Sequence, residues 1–450
     1  MRPLPSRFIR HLALTGAIFA IACENQPTRP PEPHNPDRMG FESRAIQFSF
    51  SDPGFFTPLA NSAVCSVGGG VSQFELPTGF VPVLVDKEPN FPDLGDMQTV
   101  NETGSEKGRF LYRSHELGSN GAVSVTDLKT GVSRILAQRA DWERLDGIVW
   151  TPWGTILTAE ETNPAAIQDP SQPNAVGGFV YEIDPLSGVA TVRPDLGSKS
   201  HEGMRFDRQG NLYGISETSP GYIYKFIPAT PGNLSSGQLY ALKITQDLGD
   251  RTGPGQWVPL DMALVRLNAD AAAAAVGATG YNRPEDVETS ASTGDDLREG
   301  RMLFVAITGE DRVLGINLRS GNQLVVSDYV RDGVNAPADF DFPDNLALDQ
   351  QGNLFITEDP GGSAPTKTLG DDVWLARFNP ASASQSLPAE RFLSITDCNA
   401  EPTGIYFSPS NLSLFVDVQH RGGDGADGSF AIQKIADIQF APGKQGVASR

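Results

Sequence analysis

One pattern recurs along the chain: two short strand-like runs joined by a polar turn, with acidic residues at the open ends. The clearest copy is HEGMRFDRQGNLYGISE, from His201 to Glu217. Its centre, Asp207-Arg208-Gln209-Gly210, suits a tight hairpin loop. Met204-Arg205-Phe206 and Leu212-Tyr213-Gly214-Ile215 flank it as strands. Side chains facing each other across such a hairpin sit roughly 5 Å apart. Glu202 and Glu217 would then repel unless one is protonated or a cation lies between them. A single pair of this kind reads as solvated strand ends, but the pair is repeated.

DGIVWTPWGTILTAEE sets Asp146 against Glu160 and Glu161, and PDNLALDQQGNLFITED sets Asp344 against Glu358 and Asp359. EPTGIYFSPSNLSLFVDVQH sets Glu401 against Gln419 and His420. GRFLYRSHE, ending at Glu116, and GRMLFVAITGED, ending at Glu310-Asp311, show only the second strand clearly. These six units recur about every 45 to 60 residues, with one longer interval that holds an insertion around NADAAAAAVG. Repeats of this length, each a small antiparallel sheet, predict an all-β fold, a six-bladed β-propeller with a short helical insertion near Asp261 to Val276. In a ring of blades the open hairpin ends converge on one end of the channel. The acids then become contributions to a common cation site.

Composition agrees with many turns rather than long helices: 47 Gly, 34 Pro and 20% charged residues in 450. A net charge of −20 argues against nucleic acid as a partner. It does not establish metal binding, since acidity also serves solubility.

The N-terminal end predicts export. Arg2, Arg7 and Arg10 precede an apolar run from Leu12 to Ala22, short for a membrane span, and AIAC ends at Cys23. The expected order is a lipoprotein-type signal peptide over 1–23 with Cys23 lipidated, a Pro-rich tether over 24–45, and the propeller over 46–450. The protein would be membrane-anchored through lipid alone, facing the periplasm or the extracellular space. An ordinary signal peptide is the alternative. Cys65 and Cys398 lie near the start and the end of the folded region, which a closed ring brings together. They read either as a disulfide, as export favours, or as two buried free thiols.

His115, His201 and His420 are far apart in sequence, without the spacing of a zinc hydrolase. No nucleophile elbow and no phosphate-binding P-loop are present. Carboxylates remain, and they suit hard cations: Ca²⁺, Mg²⁺ or Fe³⁺. GGDGADGSF (422–430) matches a single copy of a calcium-binding nonapeptide, and one copy cannot stack, so it reads as a loop. In YNRPEDVE, Arg283 stands beside Glu285 and Asp286. An arginine next to metal-binding carboxylates suits bidentate hold of a phosphate, and a structural salt bridge is the plain alternative.

TPWGTILTAEE, SHEGMRFD, GNLYGISE, GYIYKF, RPED, PDNLALD, GNLF and EPTGIYFSPSNLSLFVDVQHRGG occur in an order that resembles the PhoX-type alkaline phosphatases, over about Gly104 to Gly423. The resemblance implies a six-bladed propeller and an exported phosphomonoesterase with ferric and calcium ions. It implies Glu160, Glu161, Glu202, Glu285 and Asp344 as metal ligands and Arg283 as the phosphate-binding arginine. Asp146 stands where the family has a cysteine, so a metal there would have an oxygen ligand in place of a thiolate, and Fe³⁺ is the ion this puts in doubt. The substrate class implied is a small phosphate ester, acted on by a monomer. Two rival readings stand beside it: a calcium-stabilised binding propeller without catalysis, and a calcium-dependent esterase or lactonase.

Overall fold

The computed structural model describes residues 56–69, 72–290, 301–318, 322–360, 367–422 and 426–435. The expected signal peptide, the tether and Cys23 lie outside the described residues. So does the middle of the Gly-Asp-rich loop, residues 423–425.

Two short N-terminal strands, β1 (Phe74–Glu75) and β2 (Phe80–Lys87), precede a series of antiparallel meanders. The first holds β3 (Gly95–Val100), β4 (Phe110–His115), β5 (Ala122–Asp127) and β6 (Val132–Gln138). The next holds β7 (Leu145–Trp150), β8 (Ile156–Glu160), β9 (Val180–Ile183) and β10 (Ala190–Val192). Then come β11 (Met204–Phe206), β12 (Leu212–Ile215), β13 (Ile223–Thr230) and β14 (Asn233–Ile244), with β15 (Gly253–Pro259) at their outer edge. The helical insertion is two short helices, α1 (Met262–Val265) and α2 (Ala269–Ala275), capped by the side chains of Asp261 and Asn268. After it come β16 (Pro284–Thr289), β17 (Met302–Ile307), β18 (Arg312–Leu318) and β19 (Gln323–Arg331). β20 (Pro343–Leu348), β21 (Leu354–Glu358), β22 (Asp372–Ala376) and β23 (Glu390–Ile395) follow, and β24 (Glu401–Phe407), β25 (Leu414–Gln419) and β26 (Gly428–Lys434) end the series.

The first strands of the meanders, β3, β7, β11, β16, β20 and β24, touch in that order, and β24 touches β3. The sheets therefore stand around one axis, the arrangement of a β-propeller. β2 pairs with β26 and β1 with β23, so strands from the start of the folded region complete sheets from its end. A disulfide between Cys65 and Cys398, with 5.1 Å between the Cα atoms, ties the same two ends. Among the described residues the sheets number five, because β15 pairs with both β14 and β19 and fuses two meanders into a nine-stranded sheet.

The core lies between neighbouring sheets. Met97, Tyr112 and Val123 pack against Ile148, Trp150 and Tyr181, and Met302 and Phe304 pack with Leu346 and Trp374. Strands covered on both faces read as unbroken apolar runs, such as MLFVAI in β17, which is buried throughout. Burying one such side chain fully stabilises the fold by about 1.5–3 kcal/mol.

The feature that shapes the channel is a register shift at the start of the first hairpin. It occurs between Gly95 and Gln98, Leu145 and Ile148, Pro284 and Val287, Pro343 and Leu346, and Thr403 and Tyr406. Each shift leaves two residues of the inner strand unpaired, as in a β-bulge, which re-aims side chains. The first of each pair is Asp96, Asp146, Glu285, Asp344 and Gly404. In the third meander β11 begins late, and Glu202-Gly203 holds the equivalent place just before it.

The second residue of most pairs locks onto the next meander. A Cβ on Gly147 would meet the Glu202 carbonyl oxygen at 2.0 Å, and a Cβ on Gly203 would meet Asp286 Oδ1 at 1.6 Å. Asp286 accepts a hydrogen bond from the Leu346 amide at 2.8 Å. Asn345 Oδ1 accepts from the Gly404 amide at 2.6 Å and from the Thr403 hydroxyl at 2.8 Å. The backbone that carries each acid is thereby fixed to its neighbour.

Candidate functional site

Acids reach the channel from two places in four of the six meanders and from one in the other two. The bulge supplies Asp96, Asp146, Glu202, Glu285 and Asp344, and Glu401 starts β24. The residue just after the second strand supplies Glu116, Glu161 and Asp359, and Glu217 follows two residues past the end of β12. These carboxylates feel one another. Asp146 is held well above the usual carboxylate range by burial, then by Asp96, Glu116, Asp344 and Glu217. Burial and Glu217 do the same to Glu161, burial and Glu285 to Glu202, burial and Glu285 to Asp344, and burial and Asp359 to Glu401. Glu285 is pushed up to about 8, mainly by burial.

Oxygens of Glu202, Glu217 and Glu285 lie within 4.8 Å of one another. At that distance two unit charges repel by roughly 3–4 kcal/mol at an effective dielectric of about 20. Two buried oxygens, Asp146 Oδ1 and Glu285 Oε1, receive no hydrogen bond. Their surroundings therefore supply no donor for a charge that burial already disfavours.

Arg283 faces this group from a left-handed backbone (φ 56°). Its Nε donates to Glu217 at 2.8 Å and stands 2.8 Å from Glu285, and its Nη2 is 3.4 Å from Asp359. The contact with Glu285 is an ion pair by distance, but the N–H points at Glu217, so the Glu285 oxygen stays without a donor. The Arg283 side chain is 36% exposed, which leaves part of the guanidinium free for a ligand. Asn345 Nδ2 donates to Asp344 at 2.8 Å and more weakly to Glu202 at 3.4 Å, bridging two sheets.

Of the expected ligands, Asp146, Glu161, Glu202, Glu285 and Asp344 face one another. Glu160 is placed differently. Its carboxylate accepts from the amides of Phe179 at 3.0 Å and Glu143 at 3.2 Å, and the acids beside it are Glu143 and Asp169. Successive residues of a strand point to opposite sides, so Glu160 turns into its sheet and Glu161 toward the channel. Glu358 and Asp359 divide the same way: Glu358 accepts from Trp374 Nε1 at 2.5 Å and the Asp372 amide at 3.1 Å. His115 hydrogen-bonds Ser124 and the Asp93 carbonyl, and burial lowers it to about 3. Glu310 binds Arg251 and Arg312 instead of the ring.

The hairpin pattern already brings Glu116, Glu217 and Asp359 to the ring, whereas Asp96 has no counterpart in it. The signal for Asp96 was an acid one strand and loop before GRFLYRSHE.

Residues 149–322 and 306–422 match the family model described as alkaline phosphatase PhoX, together more than half of the chain. The chain belongs to the PhoX alkaline phosphatase family. PhoX of Pseudomonas fluorescens, solved with vanadate, a transition-state analogue, is 19% identical at a TM-score of 0.62, covering 85% of this chain and 98% of that one. This likeness shows the shared propeller fold. A gluconolactonase from Xanthomonas campestris is 12% identical at a TM-score of 0.45, covering 84% and 100% of the two chains. The calcium-binding regucalcin of Agrobacterium tumefaciens is 11% identical at 0.42, covering 79% and 95%. No curated protein matches the chain. PhoX membership makes phosphate-ester hydrolysis the chemistry against which the acid ring is read.

Proposed function

We propose that the chain is a metal-dependent phosphomonoesterase whose centre is the ring of carboxylates around Arg283. The observation that carries this reading is the juxtaposition of Glu202, Glu217 and Glu285 within 4.8 Å, with an arginine beside them that retains exposed surface. The Pseudomonas fluorescens relative was solved with vanadate, named as a transition-state analogue, which is the chemistry proposed for this site.

The donor set fits a hard cation. The ring offers carboxylate oxygens, two of them buried without a donor, and both Cys65 and Cys398 are committed to a disulfide. Such a set suits calcium, with Asp146, Glu161, Glu202, Glu217, Glu285 and Asp344 as the residues that would hold it. With Asp146 at the place of the family's cysteine, any Fe³⁺ here would be held by oxygen alone, without the thiolate donation of the family's centre. Bound cations would neutralise the acids, polarise a phosphoryl oxygen and supply an activated water-derived nucleophile.

The chain's own groups account for the rest. The Arg283 guanidinium would take a phosphoryl oxygen with the N–H groups not spent on Glu217 and Asp359, stabilising charge that grows on the equatorial oxygens. Asn345 holds Asp344 and Glu202 in place. The locked bulges fix Asp146, Glu285 and Asp344 on strands rather than on loops, so little reorganisation of these three is needed on binding.

We count six blades in this reading. The nine-stranded sheet is two four-stranded blades fused through β15, and the contacts of β3, β7, β11, β16, β20 and β24 support the count. The proposal extends to export, lipid anchoring at Cys23 and a monomeric state. The disulfide supports an oxidising compartment. Metal analysis of the purified protein, followed by hydrolysis of p-nitrophenyl phosphate before and after chelation, tests the catalytic reading. No turnover of any phosphate ester by the calcium- and iron-loaded protein would reject it.

A further inference from the structure

The helical insertion between β15 and β16 sends one carboxylate toward the ring. Asp270, in the first turn of α2, accepts from the Ser216 hydroxyl at 2.7 Å, from the Thr218 hydroxyl at 3.3 Å and from the Tyr224 hydroxyl at 2.6 Å. Ser216 and Thr218 flank Glu217, the acid that lies with Glu202 and Glu285 and accepts from Arg283. The two hydroxyls also stand 3.3 Å from each other. The Thr218 carbonyl accepts from the Arg283 amide at 3.1 Å. The turn from 216 to 218 thus joins Asp270 on one side to both Glu217 and Arg283 on the other.

This arrangement is more than a helix resting on a sheet. β12 ends at Ile215, so Glu217 lies beyond the strand ladder. Its backbone is held by the amide bond to Ser200 at 3.2 Å and by the hydroxyls on either side of it. A charged acceptor makes hydrogen bonds roughly twice as strong as a neutral one, so Asp270 grips the turn firmly at Ser216 and shares the single Thr218 hydroxyl hydrogen with the Pro220 carbonyl, 3.0 Å away.

We propose that Asp270 is a positioning residue for the cation site: it sets the place of Glu217 relative to Arg283 and Glu285 through Ser216 and Thr218. The inference rests on the cation reading of the ring given above. The helical insertion then has a function, carrying a support for one side of the centre.

The test uses the full chain, stripped with chelator and titrated with Ca²⁺ alone by calorimetry, with melting curves at saturating Ca²⁺. Asp270→Ala is expected to weaken Ca²⁺ binding about tenfold, the size seen when a partner of a metal ligand is removed. Asp270→Asn, which keeps an acceptor oxygen, should recover part of the loss. The pair Ser216→Ala with Thr218→Val should reproduce the loss without touching α2, and covers the case in which Asp270→Ala does not fold. Tyr224→Phe removes the third donor, which does not flank Glu217, and should leave the affinity unchanged. A lowered melting temperature with unchanged Ca²⁺ affinity in the Asp270 and Ser216/Thr218 variants would overturn the proposal and leave a structural brace. Absence of Ca²⁺ binding by the unsubstituted protein would reject the cation reading itself.

Discussion

Arg283 Nε lies 2.8 Å from Glu285 Oε1 but donates its hydrogen to Glu217, so the buried Glu285 oxygen keeps a charge neighbour without a hydrogen-bond donor. A guanidinium and a carboxylate at this distance usually satisfy each other. Here the arginine is shared among Glu217, Glu285 and Asp359, and the acids outnumber it. Glu285→Gln should therefore weaken cation binding by at least about tenfold, because it removes an anionic donor at the centre of the group. Calorimetric titration with Ca²⁺ checks this.

Arg283→Ala is expected to act on a different quantity. None of the proposed ligands is lost, so cation content should persist. The phosphoryl contact is lost, and kcat/KM should fall by about 10²-fold or more, the scale of removing one stabilising donor from a transition state. Parallel metal analysis and steady-state kinetics separate the two effects. Unchanged kinetics would remove Arg283 from the phosphoryl contact, and absence of turnover by the unsubstituted protein with metal bound would argue for the non-catalytic binding propeller.

Gly147→Ala should be among the most damaging substitutions away from the acids themselves. Its Cβ would stand 2.0 Å from the Glu202 carbonyl oxygen, which is backbone and cannot swing aside. The β7 and β11 sides of the ring would have to part. A loss of about 2–4 kcal/mol is expected, in the range of overpacked or strained core sites. Denaturant unfolding measures it, and cation affinity should fall with it because Glu202 moves.

Lys199, which feels the charge of Asp270, gives a further pH dependence. It is fully buried, with Nζ 2.5 Å from His201 Nδ1, and burial pushes it down to about 7. The unfolded chain keeps an ordinary lysine, near 10.5. Between these values the unfolded state binds more protons than the folded one, so stability rises with pH across that window. The slope is up to about 1.4 kcal/mol per pH unit for one group. Lys199→Met should abolish this rise from about pH 7 to pH 10. Unfolding curves of both proteins at fixed calcium, compared across that range, check the sign.

Much of this site was legible in the sequence, and the limits have physical causes. The open-ended hairpins identified Asp146, Glu202 and Asp344, because each occupies the same place before an apolar strand, and Glu285 came from its place beside Arg283 in RPED. Turn chemistry was also readable: Gly210 takes φ 79°, and Met204 pairs with Gly214 and Phe206 with Leu212 as the hairpin requires. The choice between Glu160 and Glu161 was not readable. Adjacent acids at a strand end differ only in the side to which they point, and that depends on the pairing of neighbouring strands. Glu310 looked like a ring acid but lies beyond the point where β17 ends, and Arg251 and Arg312 draw it away. Asp96 was hidden because β3, GDMQTV, has little apolar character of its own and is buried by its neighbours. The fusion of two meanders through β15 depends on contacts between strands far apart in sequence, which a repeat pattern does not encode.

The central claim is that the ring acids are held together by cations and do not persist as solvated strand ends. The direct measurement is thermal unfolding of the full chain after chelation, with metal loss confirmed by elemental analysis, and again after Ca²⁺ is restored. Close carboxylate pairs worth a few kcal/mol each at intermediate dielectric are a large share of a domain stability of about 5–15 kcal/mol. The account predicts a melting temperature lowered by several degrees or more on cation removal near pH 8, with loss of phosphate-ester hydrolysis and recovery of both on adding Ca²⁺. A melting curve that stays the same after confirmed metal loss would contradict it.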